Sequence, residues 1–451
     1  MSKIIREKNF YKVMLGIAIP IALQNIVNVS INLMDTFMIG KLGDMELAAS
    51  AAANQFFFIL TLLMFGLASG TNVLSAQFWG KGDAQAVRDC ISTAHKIAIV
   101  VSLVFTAIAV FCPDFVLKIF TSDVRVIELG VKYLRIVCIT YFFTALSATT
   151  FTIFRSIGSV NISVIVSVIT LFTNVFWNWV FIFGKLGAPA LGIEGAAIGT
   201  VIARIQEFII IVIYLIFFEK KIRYRLKDFL RQNKEMLKSF ALNVSPVVLN
   251  EFLWSTGASM LTVILGRMSS ELLAANSIVT VIMQIVGVAS MGVASATSVM
   301  IGNEIGKGDR ERTQSMAVTL TIVSIVIGCF SCGLLHIIKP FFIAFYGNLL
   351  PLTLHYMSLL IDLMSIIVIF QTPTLTTMMG VLRGGGDAKF VLLNDIIFMW
   401  VVCIPLGLFT GLYLKLPVAV VYLIIKSDEI IKLVIALIRI GGGKWIKDVT
   451  K

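Results

Sequence analysis

The sequence predicts an all-α polytopic membrane protein with twelve transmembrane helices, in two six-helix lobes related by a parallel pseudo-two-fold repeat. Three observations carry that prediction. Hydrophobic residues fill 58% of the 451 positions and charged ones 14%, and the apolar residues fall in repeated runs of about 20, enough for a helix to cross a bilayer. The runs keep the helical period and show none of the short alternating strands of an outer-membrane barrel. The chain also matches itself, without a gap, at an offset of 226 residues. Pro20 falls on Pro246, Gly40 on Gly266, Leu47-Ala48-Ala49 on Leu273-Ala274-Ala275, Gly66 on Gly292, and Gly80-Lys81-Gly82-Asp83 on Gly306-Lys307-Gly308-Asp309. Register held from Pro20 to Asp83 marks two homologous halves. Further on, Arg155-Ser156-Ile157-Gly158 matches Arg383-Gly384-Gly385-Gly386 at an offset of 228.

In chain order the spans read roughly 13–38, 46–72, 92–113, 130–153, 161–184, 192–218, 239–265, 273–300, 316–338, 353–381, 389–411 and 417–440. The lobes are then 1–218 and 239–451, joined by a basic linker at 219–238. Six spans per half is an even number, so both halves begin on the same side and the repeat axis runs along the membrane normal. That architecture predicts a cavity between lobes, where such transporters bind substrate near the midplane. Basic residues fall on alternate connections: Lys3, Arg6, Lys8 and Lys12; Lys81 and Arg88; Arg155; the linker; Lys307, Arg310 and Arg312; Arg383 and Lys389; Lys444 and Lys447. Apart from the segment 114–135, the other loops carry fewer. By the positive-inside rule both termini are cytoplasmic, in a multi-pass protein of the cell (inner) membrane. Loop charge also explains the net +12, so no nucleic-acid partner is expected. The basic N-terminus precedes an apolar run with no small-residue cleavage site and reads as a first span, not a signal peptide.

The first span carries Asp35 in what should be hydrocarbon. Asn32, Asn28 and Gln24 precede it at spacings of three, four and four, which places all four on one helical face. A charge at that depth costs roughly 3 kcal/mol or more, so it should face protein or water, either as a functional carboxylate or as a partner for a neighbouring helix. The fifth span offers Asn174 and Asn178, four apart and on one face, as amides for a network around Asp35 or for ordinary interhelical packing. The sixth span carries Arg204 and Glu207 and the twelfth Lys426 and Glu429, each pair three apart, with Asp428 and Lys432 as a second possible pair in the twelfth. Paired intramembrane charges read first as neutralised structural features. Glu251 follows Pro246 in the seventh span and aligns with Asn25, not with Asp35. The two halves are therefore chemically unlike. Gln24, Asn28, Asn32, Tyr141 and Glu251 are the candidates for lining a substrate cavity.

Several other chemistries are excluded or set aside. GKGD lacks the Ser or Thr, and the preceding strand, of a phosphate-binding Walker loop; it reads as a helix-ending turn, with Gly for backbone freedom and charges for solvation. Of the six cysteines, all but Cys90 lie in or at the ends of apolar helices, and Cys329 with Cys332 reads as small apolar packing. The three histidines form no metal spacing. Neither HExxH nor GxSxG occurs, so an intramembrane enzyme has no support. No cofactor is expected beyond a coupling ion.

The pattern P-x14-D-x2-M-x-G-x-LG-x3-LAA from Pro20, its second-half echo, the GxxGAAxGT run from Gly192 to Thr200 and the two arginine turns resemble the multidrug and toxic compound extrusion (MATE) family, of DinF-like bacterial type. The tail from Leu416 to Trp445 is similar to that family's last helix, and the resemblance covers essentially the whole chain. It implies two six-helix lobes that export amphipathic, often cationic compounds in exchange for H⁺ or Na⁺. By the same resemblance Asp35 is the coupling carboxylate, Pro20 the bend in its helix, and Thr200 the threonine that ends GAAxGT. The fifth-helix pattern N-x3-D is matched at Asn174 and departs at Asn178, an amide here. Two carboxylates of the sodium-coupled branch are replaced by Trp254 and Thr372. The expectation is a cation-coupled antiporter in a lipid membrane, with internal duplication making a monomer sufficient. In it Asp35 alternates between ionised and protonated or sodium-bound states against Asn174 and Asn178, and the first helix bends at Pro20, where a ladder hydrogen bond is missing. The alternative is a lipid-linked oligosaccharide flippase of the same superfamily, which calls for more cavity cations than Arg204 and Lys426.

Overall fold

The computed structural model describes residues 4–231, 233–347 and 349–450; Lys3, counted above among the N-terminal basic residues, lies outside them, as does Gln232 of the linker. Among the described residues the secondary structure is helical, with no strand. In the first half, α1 is Lys8–Gly40, α2 Asp44–Gly80, α3 Ala84–Phe111, α4 Pro113–Phe120, α5 Val124–Val137, α6 Ile139–Ser156, α7 Asn161–Phe183 and α8 Ile193–Ile213. Then come α9 Leu226–Leu230, α10 Lys234–Asn243, α11 Ser245–Met268, α12 Ser270–Lys307, α13 Arg310–Phe345, α14 Pro351–Leu375, α15 Ala388–Asp395, α16 Ile404–Leu408, α17 Val418–Lys426 and α18 Asp428–Gly441. Wider π-helical turns occupy Tyr214–Phe218, Thr376–Arg383, Ile396–Cys403 and Phe409–Tyr413.

Ten of the described helical segments are long and apolar enough to cross a membrane, and α5 with α6 makes an eleventh span bent by 51°. The twelfth span, read at 417–440, is α17 and α18, which meet at Ser427. Four charged residues between Lys426 and Lys432 make it less apolar than the rest. The protein is thus a multi-pass α-helical membrane protein.

The repeat is visible in where helices begin. Lys8 and Lys234, Asp44 and Ser270, and Ala84 and Arg310 open corresponding elements at the same offset of 226. The two GKGD quartets do the same local job. Gly82 and Gly308 adopt left-handed φ values of 77° and 84°, where a Cβ is strained. The aspartate that follows caps the next helix: Asp83 Oδ1 accepts from the Ala86 N–H at 2.9 Å and Asp309 Oδ1 from the Arg312 N–H at 2.8 Å.

Two compact units result, Leu23–Val248 and the rest of the chain up to Ala22 and from Leu249. In the first, α2 packs on α5 and α6, α3 on α6, and α7 on α8. The linker belongs to it: the Arg88 guanidinium donates to the Ile222 carbonyl at 2.7 Å, and Lys221 Nζ to the Ile157 carbonyl at 2.8 Å. In the second, α12 and α13 pack on α14 around Leu272, Val279, Leu335, Met357 and Leu360.

Both divisions fall two residues past an aligned proline, Pro20 or Pro246, not in the linker at 219–238. Small residues explain this. A Cβ on Gly66 of α2 would lie 2.7 Å from the Val248 Cα, and one on Gly70 would lie 2.9 Å from the Val244 Cα. In the other unit, a Cβ on Gly292 of α12 would lie 2.7 Å from the Ala18 carbonyl oxygen. Gly66 and Gly292, Val244 and Ala18, and Val248 and Ala22 are repeat equivalents. The second helix of each half is therefore bared of side chains where the start of the other half's first helix packs.

Candidate functional site

α1 runs unbroken through Pro20 to Gly40 and carries Asp35, half-buried, in its last turns. The helical spacing read in the fifth span places Asn174 and Asn178 on one buried face of α7. Asn178 Nδ2 donates to Asp35 Oδ1 at 2.5 Å and lies 3.4 Å from Asn174 Oδ1. Asn174 Nδ2 in turn reaches Thr200 Oγ1 on α8 at 3.3 Å, and the Thr200 hydroxyl donates to the Ala196 carbonyl at 3.0 Å. A chain of polar contacts thus runs from a carboxylate through two buried amides to a hydroxyl. Arg204, one turn beyond Thr200, is within electrostatic reach of Asp35 and bonds Glu207 at 2.9 Å. Tyr133 of α5 also senses the Asp35 charge.

The arrangement suits a group that changes charge. An ionised carboxylate accepts, as Asp35 does from Asn178; a protonated one must also donate. Among the described residues Asn178 Oδ1 is a buried acceptor with no partner, beside a carboxyl that can supply a proton when protonated.

Close packing of α7 on α8 sets this geometry. A Cβ on Gly195 would collide with the Phe181 carbonyl, and one on Gly199 would overlap Asn178 Oδ1 and lie 2.9 Å from the Asn178 N. Gly199→Ala should therefore push Asn178 off Asp35. Overpacking of this kind costs about 1–3 kcal/mol, and we expect the thermal midpoint of the purified protein to fall while the chain still inserts. Tryptophan fluorescence during thermal unfolding checks this, and an unchanged midpoint would show that the close approach is not needed.

Elsewhere the arginine turns of the repeat reach into their own units. Arg155 Nη2 donates to Gln24 Oε1 at 2.6 Å, and Arg383 Nη1 to Glu251 Oε1 at 2.5 Å. In α18 the pair that forms is Lys432 with Asp428, at 2.9 Å, and Lys432 also reaches Asp395 at 2.7 Å. Lys426 and Glu429 lie either side of Ser427, where α17 gives way to α18, and each is within electrostatic reach of the other.

A profile of the MatE family matches residues 20–180 and 246–409, two stretches that open on the two aligned prolines. The chain belongs to the MatE family. Among MatE relatives, a probable multidrug resistance protein NorM of Thermotoga maritima is 24% identical over 440 residues, covering 97% of this chain and 93% of its own. One of the same description from Agrobacterium fabrum is 29% identical over 411 residues, covering 88% and 85%. A crystal structure of MATE in the bent conformation superposes with a TM-score of 0.87 at 18% identity, covering 96% of each chain, which shows the fold.

Within this MatE chain the remaining sequence-derived candidates scatter. Asn28 and Asn32 are exposed, whereas Gln24 is buried and held by Arg155. Tyr141 lies in the core, its ring 5.3 Å from that of Phe57, a packing position. Glu251 is occupied by Arg383. Trp254 is 47% exposed, and Thr372 shares a 3.0 Å hydrogen bond with Ser290. Sequence reasoning missed Gly199, Tyr133 and the two arginines as members of buried networks. The signal for the arginines was present: a guanidinium recurring at the same place in both halves needs a buried acceptor each time.

Proposed function

We propose that this MatE protein is a secondary active multidrug efflux transporter that exchanges amphipathic, cationic organic compounds for H⁺ or Na⁺ by alternating access. The observation that carries the proposal is the Asp35–Asn178–Asn174–Thr200 chain on α1, α7 and α8. Multidrug resistance among its relatives supports the substrate class. Asp35 ionised is held by Asn178; a cation arriving from outside neutralises it, loosens that hold and lets α1 bend at Pro20, where a backbone donor is missing. Exchange follows if substrate and cation favour opposite states, since a ligand shifts an equilibrium only by its differential affinity. The protein works as a monomer in the inner membrane with both termini in the cytoplasm.

A flippase for lipid-linked pyrophosphates needs cations free to meet phosphate. Of the two named for that role, Arg204 is bound to Glu207, and Lys426 has the carboxyls of Glu429 and Asp428 within electrostatic reach, which favours the efflux reading.

The test is efflux of a fluorescent organic cation from inverted vesicles under an imposed ΔpH or an imposed sodium gradient. Transport under ΔpH alone assigns proton antiport and transport under sodium alone assigns sodium antiport. No transport under either gradient overturns the proposal.

A further inference from the structure

The second half holds an ionic cluster that efflux through Asp35 does not use. Asp395, the last residue of α15, accepts from Lys432 Nζ on Oδ1 at 2.7 Å and from Asn250 Nδ2 of α11 on Oδ2 at 3.0 Å. Lys432 is shared with Asp428 at 2.9 Å. Glu429 follows Asp428, and its carboxyl makes no hydrogen bond or ion pair of its own among the described residues; its backbone carbonyl accepts from the Thr374 hydroxyl of α14 at 2.7 Å. The charged groups within electrostatic reach of Glu429 are Asp428 and Lys432 on α18, Lys426 on α17 and Asp395 on α15. Tyr422 of α17 senses Lys426, and Cys403 senses Asp428 and Lys432. The turn Thr376–Arg383, also packed on α18, brings Arg383, which is bound to Glu251.

Three carboxyls therefore face two ammonium groups. A net charge enclosed among apolar helices is neutralised when a proton can reach it. A second feature points to the same ligand. Asn250 is 3% exposed, and among the described residues its Oδ1 is a buried acceptor without a partner, beside the Asp395 carboxylate that its Nδ2 serves. This repeats the Asn178–Asp35 arrangement on the equivalent pair of helices, the first and fifth of each half, with acid and amide exchanged. The helical ladder is irregular on both sides of the cluster, at the π-helical turn Ile396–Cys403 directly after Asp395 and at the break at Ser427. Such irregularities are common at functional sites.

We infer that the Asp395–Asp428–Glu429 cluster, with Lys426, Lys432 and Asn250, is a proton-binding site holding one exchangeable proton. Binding forms one O–H bond on a carboxylate at the expense of a hydronium in the water that reaches it. The inference does not depend on antiport, so a failed efflux assay leaves it untouched.

Infrared difference spectroscopy of the purified protein in liposomes tests it, reading the C=O stretch of protonated carboxyl groups against pH in sodium-free choline buffer. The Asp35→Asn background removes the first site. In that background we expect, beyond the signal of the exposed carboxyls, one titrating band that is lost in Glu429→Gln and also in Asp428→Asn, because either change balances two carboxylates against two lysines. Glu429→Asp should keep it, and Lys432→Met should add a second equivalent of signal. Size-exclusion profiles identify variants that fail to fold. Absence of any titrating band beyond that of the exposed carboxyls in the Asp35→Asn protein, which needs no change in the cluster, would overturn the inference. So would a band indifferent to both neutralising substitutions, or one abolished by sodium.

Discussion

Asp35→Asn should reduce gradient-driven efflux to the vesicle background while leaving the protein folded and inserted. The substitution keeps the shape of the side chain and an acceptor oxygen for Asn178 Nδ2, which stands 2.5 Å from Asp35 Oδ1 in the native chain. What it removes is the change of charge. Converting a charge-assisted hydrogen bond to a neutral one costs about 1 kcal/mol, too little to unfold the unit that contains α7 and α8. Efflux of a fluorescent cation from inverted vesicles, normalised to inserted protein, is the readout. If Asp35→Asn vesicles export at the native rate, the coupling role belongs elsewhere. Asp35→Glu, which keeps the charge but shifts it by a methylene, should retain part of the activity.

The second large effect is on stability. Glu251 and Arg383 form an ion pair at 2.5 Å with side chains only 8% and 3% exposed. Removing Arg383 leaves the buried Glu251 carboxylate without its ion-pair partner, and removing Glu251 takes that carboxylate from a buried guanidinium; breaking a buried pair typically costs 3–5 kcal/mol. Glu251→Gln or Arg383→Met alone should therefore lower the thermal midpoint of the detergent-purified protein sharply. The double substitution Glu251→Gln with Arg383→Met should recover much of the loss, because neither charge remains. Tryptophan fluorescence during thermal unfolding measures it; a Glu251→Gln protein as stable as the native one would show that the pair contributes little. Any loss of export in these variants should follow the loss of folded protein, as befits a carboxylate bound to arginine.

Glu251 illustrates what a sequence shows and hides. Its isolation in the seventh span was legible, because charges in apolar helices stand out against a 58% hydrophobic background. Its partner was not: Arg383 is 132 residues away, and only helix packing brings them together. Periodicity likewise assigns Gln24 and Tyr141 a face without saying what that face meets; the fold supplies the Arg155 guanidinium to one and the Phe57 ring to the other.

The sequence by itself determined the membrane class, the helical spans, the two-fold repeat and the pairing of Asn174 with Asn178 on one face. These depend on hydrophobicity and on spacings of three, four or 226 residues, all contained in the order of the chain. Tertiary structure alone decided that Asn178 meets Asp35, that Lys432 takes Asp395 as well as Asp428, and that the compact units divide inside α1 and α11. Those outcomes turn on close backbone approaches at Gly199, Gly66, Gly70 and Gly292. A glycine records that something comes near, and only the folded chain shows what.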